Sequence, residues 1–322
     1  MTLARIMRAL FVATAVGWCW TGEAQAQLNG HNTLGDFGLL SASQPYPGFY
    51  AAAFYYRYDT DLVRNRDGDR VGFDVTDPGD LTVNAFAPML WWVTDHKIFG
   101  ANYGAMLVLS FANTGLEFPI LDRESKTGIG LGDLYIQPIN LGWHTARADF
   151  SVGMGIFAPT GRYEADADDN IGLGMWSFEF YGGASLFFDE ARSWHLATTA
   201  FYETHTTKQE SDAKVGDILT LEGGLGKSFM EGTLTVGAAY FAQWKVTEDD
   251  FGVDFEPPSG RQVGKHRVFG IGPEVTVPLA TSEKLIALVN ARYLWETGAR
   301  TKTQGQALAI TVTFPIPSIP LR

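Results

Sequence analysis

The sequence contains a single cysteine, Cys19, among 322 residues. One thiol, set within the N-terminal apolar stretch, excludes a disulfide framework and a cysteine-based metal centre from the rest of the chain. Trp18 stands where a lipidated cysteine needs a small residue, which argues against a lipid anchor. Also missing is any run of about twenty apolar residues, the length a spanning helix requires, although 46% of the residues are hydrophobic. Cations are few: 24 Lys and Arg stand against 36 Asp and Glu, for a formal net charge of −12. That balance opposes nucleic-acid binding, which rests on neutralising phosphates. No Pro- or Ser-rich linker and no change of texture divides the chain, so one large sheet is expected instead of two domains.

The first residues carry Arg5 and Arg8, then an apolar stretch from Ala9 to Trp20, then Ala24-Gln25-Ala26. A charged start, an apolar run too short to span a bilayer and a small-x-small site define a signal peptide over 1–26. Its removal takes Arg5, Arg8 and Glu23 and leaves the chain one unit more negative.

Glycine and aromatic residues are abundant: 36 Gly, 9 Trp, 12 Tyr and 22 Phe. They fall in segments that alternate with period two, the signature of strands. Leu285, Ala287, Val289, Ala291, Tyr293 and Trp295 form one such face, opposed by Ile286, Leu288, Asn290, Arg292, Leu294 and Glu296. Leu234, Val236, Ala238, Tyr240, Ala242 and Trp244 form a second, and Leu81, Val83, Ala85, Ala87, Met89, Trp91 and Val93 a third. Each reads as a face fit for lipid, several with a Trp or Tyr near one end at headgroup level.

The expected strands are 49–63, 80–94, 98–113, 130–144, 148–158, 172–188, 193–205, 216–229, 233–245, 265–279, 284–297 and 304–314. Short connections alternate with long ones over 64–79, 114–129, 159–171, 206–215 and 246–264; only 298–303 is short on the long side. Unlike ends are a property of outer-membrane barrels. In hydrocarbon no edge strand can leave its backbone unpaired, so the sheet must close. The expectation is an all-β, antiparallel, up-and-down transmembrane barrel of about twelve strands over 49–314 in a bacterial outer membrane. Both termini fall on the periplasmic side. Residues 27–48 then form a periplasmic or lumen-inserted segment, with partial insertion favoured because a barrel of this size leaves interior space, and 315–322 form a tail.

Within this frame Gly132-Asp133-Leu134-Tyr135-Ile136-Gln137-Pro138, Leu141-Gly142-Trp143 and Ala158-Pro159-Thr160-Gly161-Arg162-Tyr163 stand out, followed by Asn170, Gly172 and Trp176. With Pro45-Tyr46-Pro47-Gly48 and Gly270-Ile271-Gly272-Pro273-Glu274, they resemble an outer-membrane family assigned to the MetA-pathway of phenol degradation. The resemblance covers nearly the whole chain after the leader. It implies an outer-membrane barrel proposed to pass small, often aromatic, compounds. One departure is the end: such barrels usually finish on an aromatic residue, whereas Phe314 is followed by Pro315 to Arg322.

Parity places Asp133, Gln137, Glu179, Glu203, Glu222, Glu274, Asn290, Arg292 and Glu296 inside as lumen-lining candidates, with Arg57, Lys245 and Arg292 as inward cations. Ionised groups there need partners or water. Either they form salt bridges that fill the lumen, or they line a hydrated, cation-leaning pathway. Pro88, Pro138 and Pro273 fall inside strands, where a missing N–H leaves a gap or forces a bulge. They are ordinary bulges, or kinks that admit a side exit for apolar solutes, or inward bends that narrow the lumen.

Asp166, Asp168 and Asn170 begin like a calcium loop, but Ile171 and Ser177 stand where glycine and glutamate belong. The acidic residues Glu248, Asp249, Asp250, Asp254 and Glu256 read as a solvated loop in preference to a site for divalent ions bridging lipopolysaccharide. His205 lies near Glu203, yet no serine is visibly paired with it, so no catalytic set emerges among His31, His96, His144, His195, His205 and His266. No enzyme, metal or cofactor is expected. The function expected is passive diffusion of small hydrophobic or aromatic compounds. Its partners are outer-membrane lipid and lipopolysaccharide, the solute and the assembly machinery. The alternative is a structural or surface-interaction barrel with a closed lumen, and after it an outer-membrane hydrolase.

Overall fold

The computed structural model describes residues 28–71, 79–118, 123–165, 167, 169–229, 234–252, 265–282, 284–317 and 319–320. Residues 1–26, expected from the sequence to be a signal peptide, and the acidic residues Asp166, Asp168, Asp254 and Glu256 lie outside them. Twelve long strands are present: β1 (Gly48–Thr60), β2 (Asp80–Ile98), β3 (Ala101–Val108, continued after a break by Phe111–Phe118), β4 (Leu134–His144), β5 (Ala148–Ala158), β6 (Ser177–Phe187), β7 (Trp194–His205), β8 (Ile218–Phe229), β9 (Leu234–Lys245), β10 (Arg267–Ala280), β11 (Lys284–Arg300) and β12 (Gln306–Ile316). Each pairs antiparallel with its neighbours in the chain. β1 pairs with both β2 and β12, which closes the barrel. No described helix is long and apolar enough to cross a membrane.

One end carries tight turns. Between β2 and β3 the chain reverses at Phe99 and Gly100, with φ of 51° and 83°. Two successive positive φ values make a turn whose twist matches the flanking strands. At the other end the connections are long. There Val63–Arg64, Arg70–Val71 and Lys302–Thr303 form a small separate sheet, and Arg123–Lys126 with Gly130–Leu131 extend the pairing of β3 outward. Strand β12 runs two residues beyond Phe314, and Ile319–Pro320 pairs back onto Lys284 and Leu285 of β11, so the tail continues the wall.

Burial alternates along the strands and orients their faces. On β9, Thr235, Ala239, Phe241, Gln243 and Lys245 are buried, and Ala238 is exposed. On β2 the orientation is the reverse of the sequence reading. Phe86, Leu90 and Trp92 are 47%, 45% and 52% exposed on the outer face. Leu81, Val83, Ala85, Ala87 and Met89 turn inward and pack with Phe54, Tyr56, Tyr58, Ala307 and Ala309. Both faces of β2 are apolar, so alternation alone cannot choose between them. Arg57 is corrected in the same way: it lies between buried Tyr56 and Tyr58, points outward and pairs with Asp59 at 2.7 Å.

Candidate functional site: a two-sided lumen

Residues 28–44 bond to inward-facing side chains of the wall, and Tyr46 and Pro47 beyond them are exposed. Lys245 Nζ donates to Leu28 O (2.7 Å) near the long-loop end, and the Tyr46 ring lies tilted against His144 next to a tight turn. The segment has no regular secondary structure, so its backbone polar groups need partners from the wall. The inward carboxylates supply them. Glu203 accepts from the N–H of His31 (2.6 Å) and of Asn32 (3.2 Å). Glu222 accepts from Gly35 N (2.8 Å) and Phe37 N (2.9 Å). Glu274 accepts from Leu39 N (3.2 Å), and Glu179 accepts from Asn32 Nδ2 (3.1 Å). Arg292 donates to Gly35 O (3.0 Å) and lies 3.5 Å from Glu274, whose other oxygen accepts from Asn290 (2.6 Å). Lower down, Ser43 donates to Asp149 (2.9 Å), and Gln44 reaches the carbonyls of Asn102 and Asn140.

Seven of the nine lumen-lining candidates are buried: Asp133, Gln137, Glu179, Glu203, Glu222, Glu274 and Arg292. Glu296 receives Tyr58 Oη (2.8 Å) and Gly305 N (2.7 Å), away from the threaded segment. Gln137 donates to Tyr135 Oη (3.1 Å). For Glu203 and Glu222 the dominant partners are backbone donors of the threaded segment, an arrangement that neither a salt-bridge filling nor a free hydrated pathway describes.

Asp133 joins three parts of the chain. Its carboxylate accepts from Gly161 N (2.9 Å), Leu173 N (2.8 Å) and His31 Nε2 (2.8 Å). Burial pushes this carboxyl upward, and the His31 contact and the two backbone donors outweigh it, holding it below the usual range. A Cβ on Gly161 would lie 2.7 Å from Gly172 Cα and 2.9 Å from Gly132 C, so glycine is required for the three backbones to converge. Thr160 completes the knot, donating to Gly132 O (3.2 Å) and accepting from Leu134 N (3.0 Å). Nearby, burial lowers Lys208 to about 8 where it donates to Leu173 O (2.7 Å).

The serine that sequence reasoning missed is Ser177. Its Oγ lies 2.7 Å from His31 Nδ1 and 2.8 Å from His205 Nδ1. His31 belongs to the irregular segment, where no periodicity announces a partner. Ser177 is fully buried, so its hydroxyl is enclosed between the two imidazoles. Two loop residues considered for ion binding act locally. Asn170 closes its own loop through Glu164 N (2.8 Å) and O (2.7 Å). Asp249 is buried against Lys245 (2.7 Å).

The three wall prolines behave differently. At Pro138 the ladder slips against both β3 and β5, placing one extra residue in β4, a bulge. At Pro88 register is kept. The β2–β3 pairing is interrupted across Leu109 and Ser110, and Leu109 N bridges to Pro88 O (3.0 Å). At Pro273 the ladder to β9 is continuous, whereas pairing with β11 skips from Ile271–Trp295 to Glu274–Arg292. A cleft occupies that gap, reached by Pro273, Val275, Tyr293 and Leu308 together with the inward Glu274 and Arg292.

A closed antiparallel barrel with unlike ends and an apolar outer face is the fold of an integral outer-membrane protein. The family model described as "Putative MetA-pathway of phenol degradation" matches residues 64–312, and the chain belongs to that family. An outer membrane channel from Pseudomonas putida F1 shares the fold with a TM-score of 0.67 at 14% identity, covering 88% of this chain and 100% of that one. The transport unit of the autotransporter AIDA-I from Escherichia coli aligns with a TM-score of 0.53 at 11% identity, over 92% of this chain and 96% of its own. No curated protein matches the sequence.

Proposed function

We propose that this protein is a passive outer-membrane channel for small hydrophobic or aromatic molecules, with its short turns in the periplasm and its long loops outside. The observation that carries this reading is the inner wall of β12, β1, β2 and β3. Phe54, Tyr56, Leu81, Val83, Ala85, Met89 and Val108 there form a continuous apolar and aromatic face. Transferring apolar solute surface from water onto such a face is favourable. Residues 31–39 are hydrogen-bonded to Glu203, Asp133, Glu179, Glu222, Glu274 and Arg292, on the strands opposite this face and at the start of β4. The P. putida relative in fold is described as a channel, and the family description names phenol degradation, which supports an aromatic cargo.

For the wall prolines we propose the gap at Pro273 as a side exit. Pro273 has no N–H to offer β11, and a cleft lined by Pro273, Glu274, Val275, Arg292, Tyr293 and Leu308 lies at that position of the wall. A neutral solute leaving by this route enters the bilayer without crossing the tight-turn end. The test is uptake of a labelled neutral aromatic by vesicles bearing lipopolysaccharide in their outer leaflet, with and without the purified protein. Faster entry with the protein is expected; entry no faster than in empty vesicles rejects the channel.

A further inference from the structure

His31, Glu203 and His205 present ligand atoms that all lie within 4.8 Å of one another. We propose that they form a binding site for one divalent transition-metal ion, zinc(II) by the character of its ligands, which clamps the threaded segment to β7. This inference is independent of the cargo.

The distances suit such an ion. Glu203 Oε1 lies 3.5 Å from His31 Nδ1 and 3.6 Å from His205 Nδ1. A tetrahedral ion with bonds of about 2.0–2.1 Å sets neighbouring ligand atoms about 3.4 Å apart. Two imidazoles and one carboxylate are a zinc donor set, whereas calcium and magnesium take oxygen. Ser177 Oγ, 2.7 and 2.8 Å from the two Nδ1 atoms, hydrogen-bonds both rings and would draw back on ion binding, leaving the fourth position to this hydroxyl or to a water.

The surroundings are those of a metal ligand. His31 Nε2 is held by the Asp133 carboxylate at 2.8 Å, which fixes the ring and keeps the proton on Nε2, leaving the Nδ1 lone pair for an ion. Charge points the same way. Asp133, Glu179 and Glu203 are buried together, and no ion pair from Lys or Arg to any of them is found among the described residues. Buried carboxylates demand a compensating charge. A dication held by two neutral imidazoles supplies it. His31 comes from the segment and Glu203 and His205 from one strand face, so the ion would cross-link the two.

The test uses the full chain without a histidine tag, stripped of metal in detergent, and titrated with zinc(II) by calorimetry and cobalt(II) by visible absorption. One zinc per chain and the intense bands of four-coordinate cobalt are expected. His31→Ala and His205→Ala should each weaken binding at least about tenfold, while His96→Ala, on an exposed residue, leaves it unchanged. Glu203→Gln, which keeps the volume and one of the two oxygens that accept from the backbone, serves where an alanine variant fails to reach the heat-modifiable folded form on a gel. Chelation should also speed amide exchange over residues 29–35. No zinc uptake by the natural sequence, or undiminished binding by His205→Ala and Glu203→Gln, overturns the proposal.

Discussion

The two halves of the inner wall solve opposite problems. On β6 to β11 the inward positions hold Glu179, Glu203, Glu222, Glu274 and Arg292, each buried and each bonded to a threaded segment with no secondary structure of its own. On β12, β1, β2 and β3 the inward positions hold Phe54, Tyr56, Tyr58, Val83 and Met89, and their outward neighbours Phe86, Leu90 and Trp92 are as apolar as they are. One half spends its side chains on anchoring a peptide; the other leaves a surface that a hydrophobic solute can follow. An acidic interior therefore does not imply an ion pathway, because these carboxylates are taken up by donors of the threaded segment, backbone N–H groups for Glu203 and Glu222 and the Asn32 side chain for Glu179.

The contrast can be broken most forcefully by deleting residues 28–43. With the segment gone, the carboxylate half faces water, and single-channel conductance in planar bilayers should rise by an order of magnitude with a preference for cations. Unchanged conductance would mean that the segment does not fill the lumen. A smaller intervention is Glu222→Ala, which leaves Gly35 N and Phe37 N without their acceptor. Two buried unpaired donors at about 1–3 kcal/mol each should appear as a lowered unfolding midpoint and faster exchange over residues 33–39, with the aromatic route intact.

The apolar half is tested by Met89→Glu, which sets a charge among Phe54, Ala87 and Val108. Aromatic uptake should fall well below that of the natural sequence while the folded, heat-modifiable form persists. Pro273→Val restores a donor opposite β11 and should slow release into the bilayer, changing stability by no more than about 1 kcal/mol. Least of all, Arg57→Ala breaks an exposed pair with Asp59 and should shift stability within the ~0–1 kcal/mol of surface ion pairs, with uptake unaltered. A large loss of uptake there would place Arg57 on the route after all.

The barrel was readable because lipid on one side and a polar interior on the other impose period two on strands such as Leu234–Lys245. The convergence at Asp133 was readable as a motif but not as geometry: Gly132, Gly161 and Gly172 meet only when three loops fold together. Strand β2 escaped orientation because its two faces are equally apolar. The His31–Ser177–His205 contact escaped because a segment satisfied by side chains from the wall needs no pattern of its own.

That β2 has one apolar face inside and another outside also provides the most direct test of the central claim, that solute follows the inner face of β12, β1, β2 and β3. A small aromatic probe carrying a photoreactive diazirine, illuminated during uptake and mapped by mass spectrometry, should label Leu81, Val83 and Met89 with Phe54 and Tyr56. Labelling confined to Phe86, Leu90 and Trp92, one residue away on the same strand, would show that the probe meets the protein only from the membrane and would contradict the account.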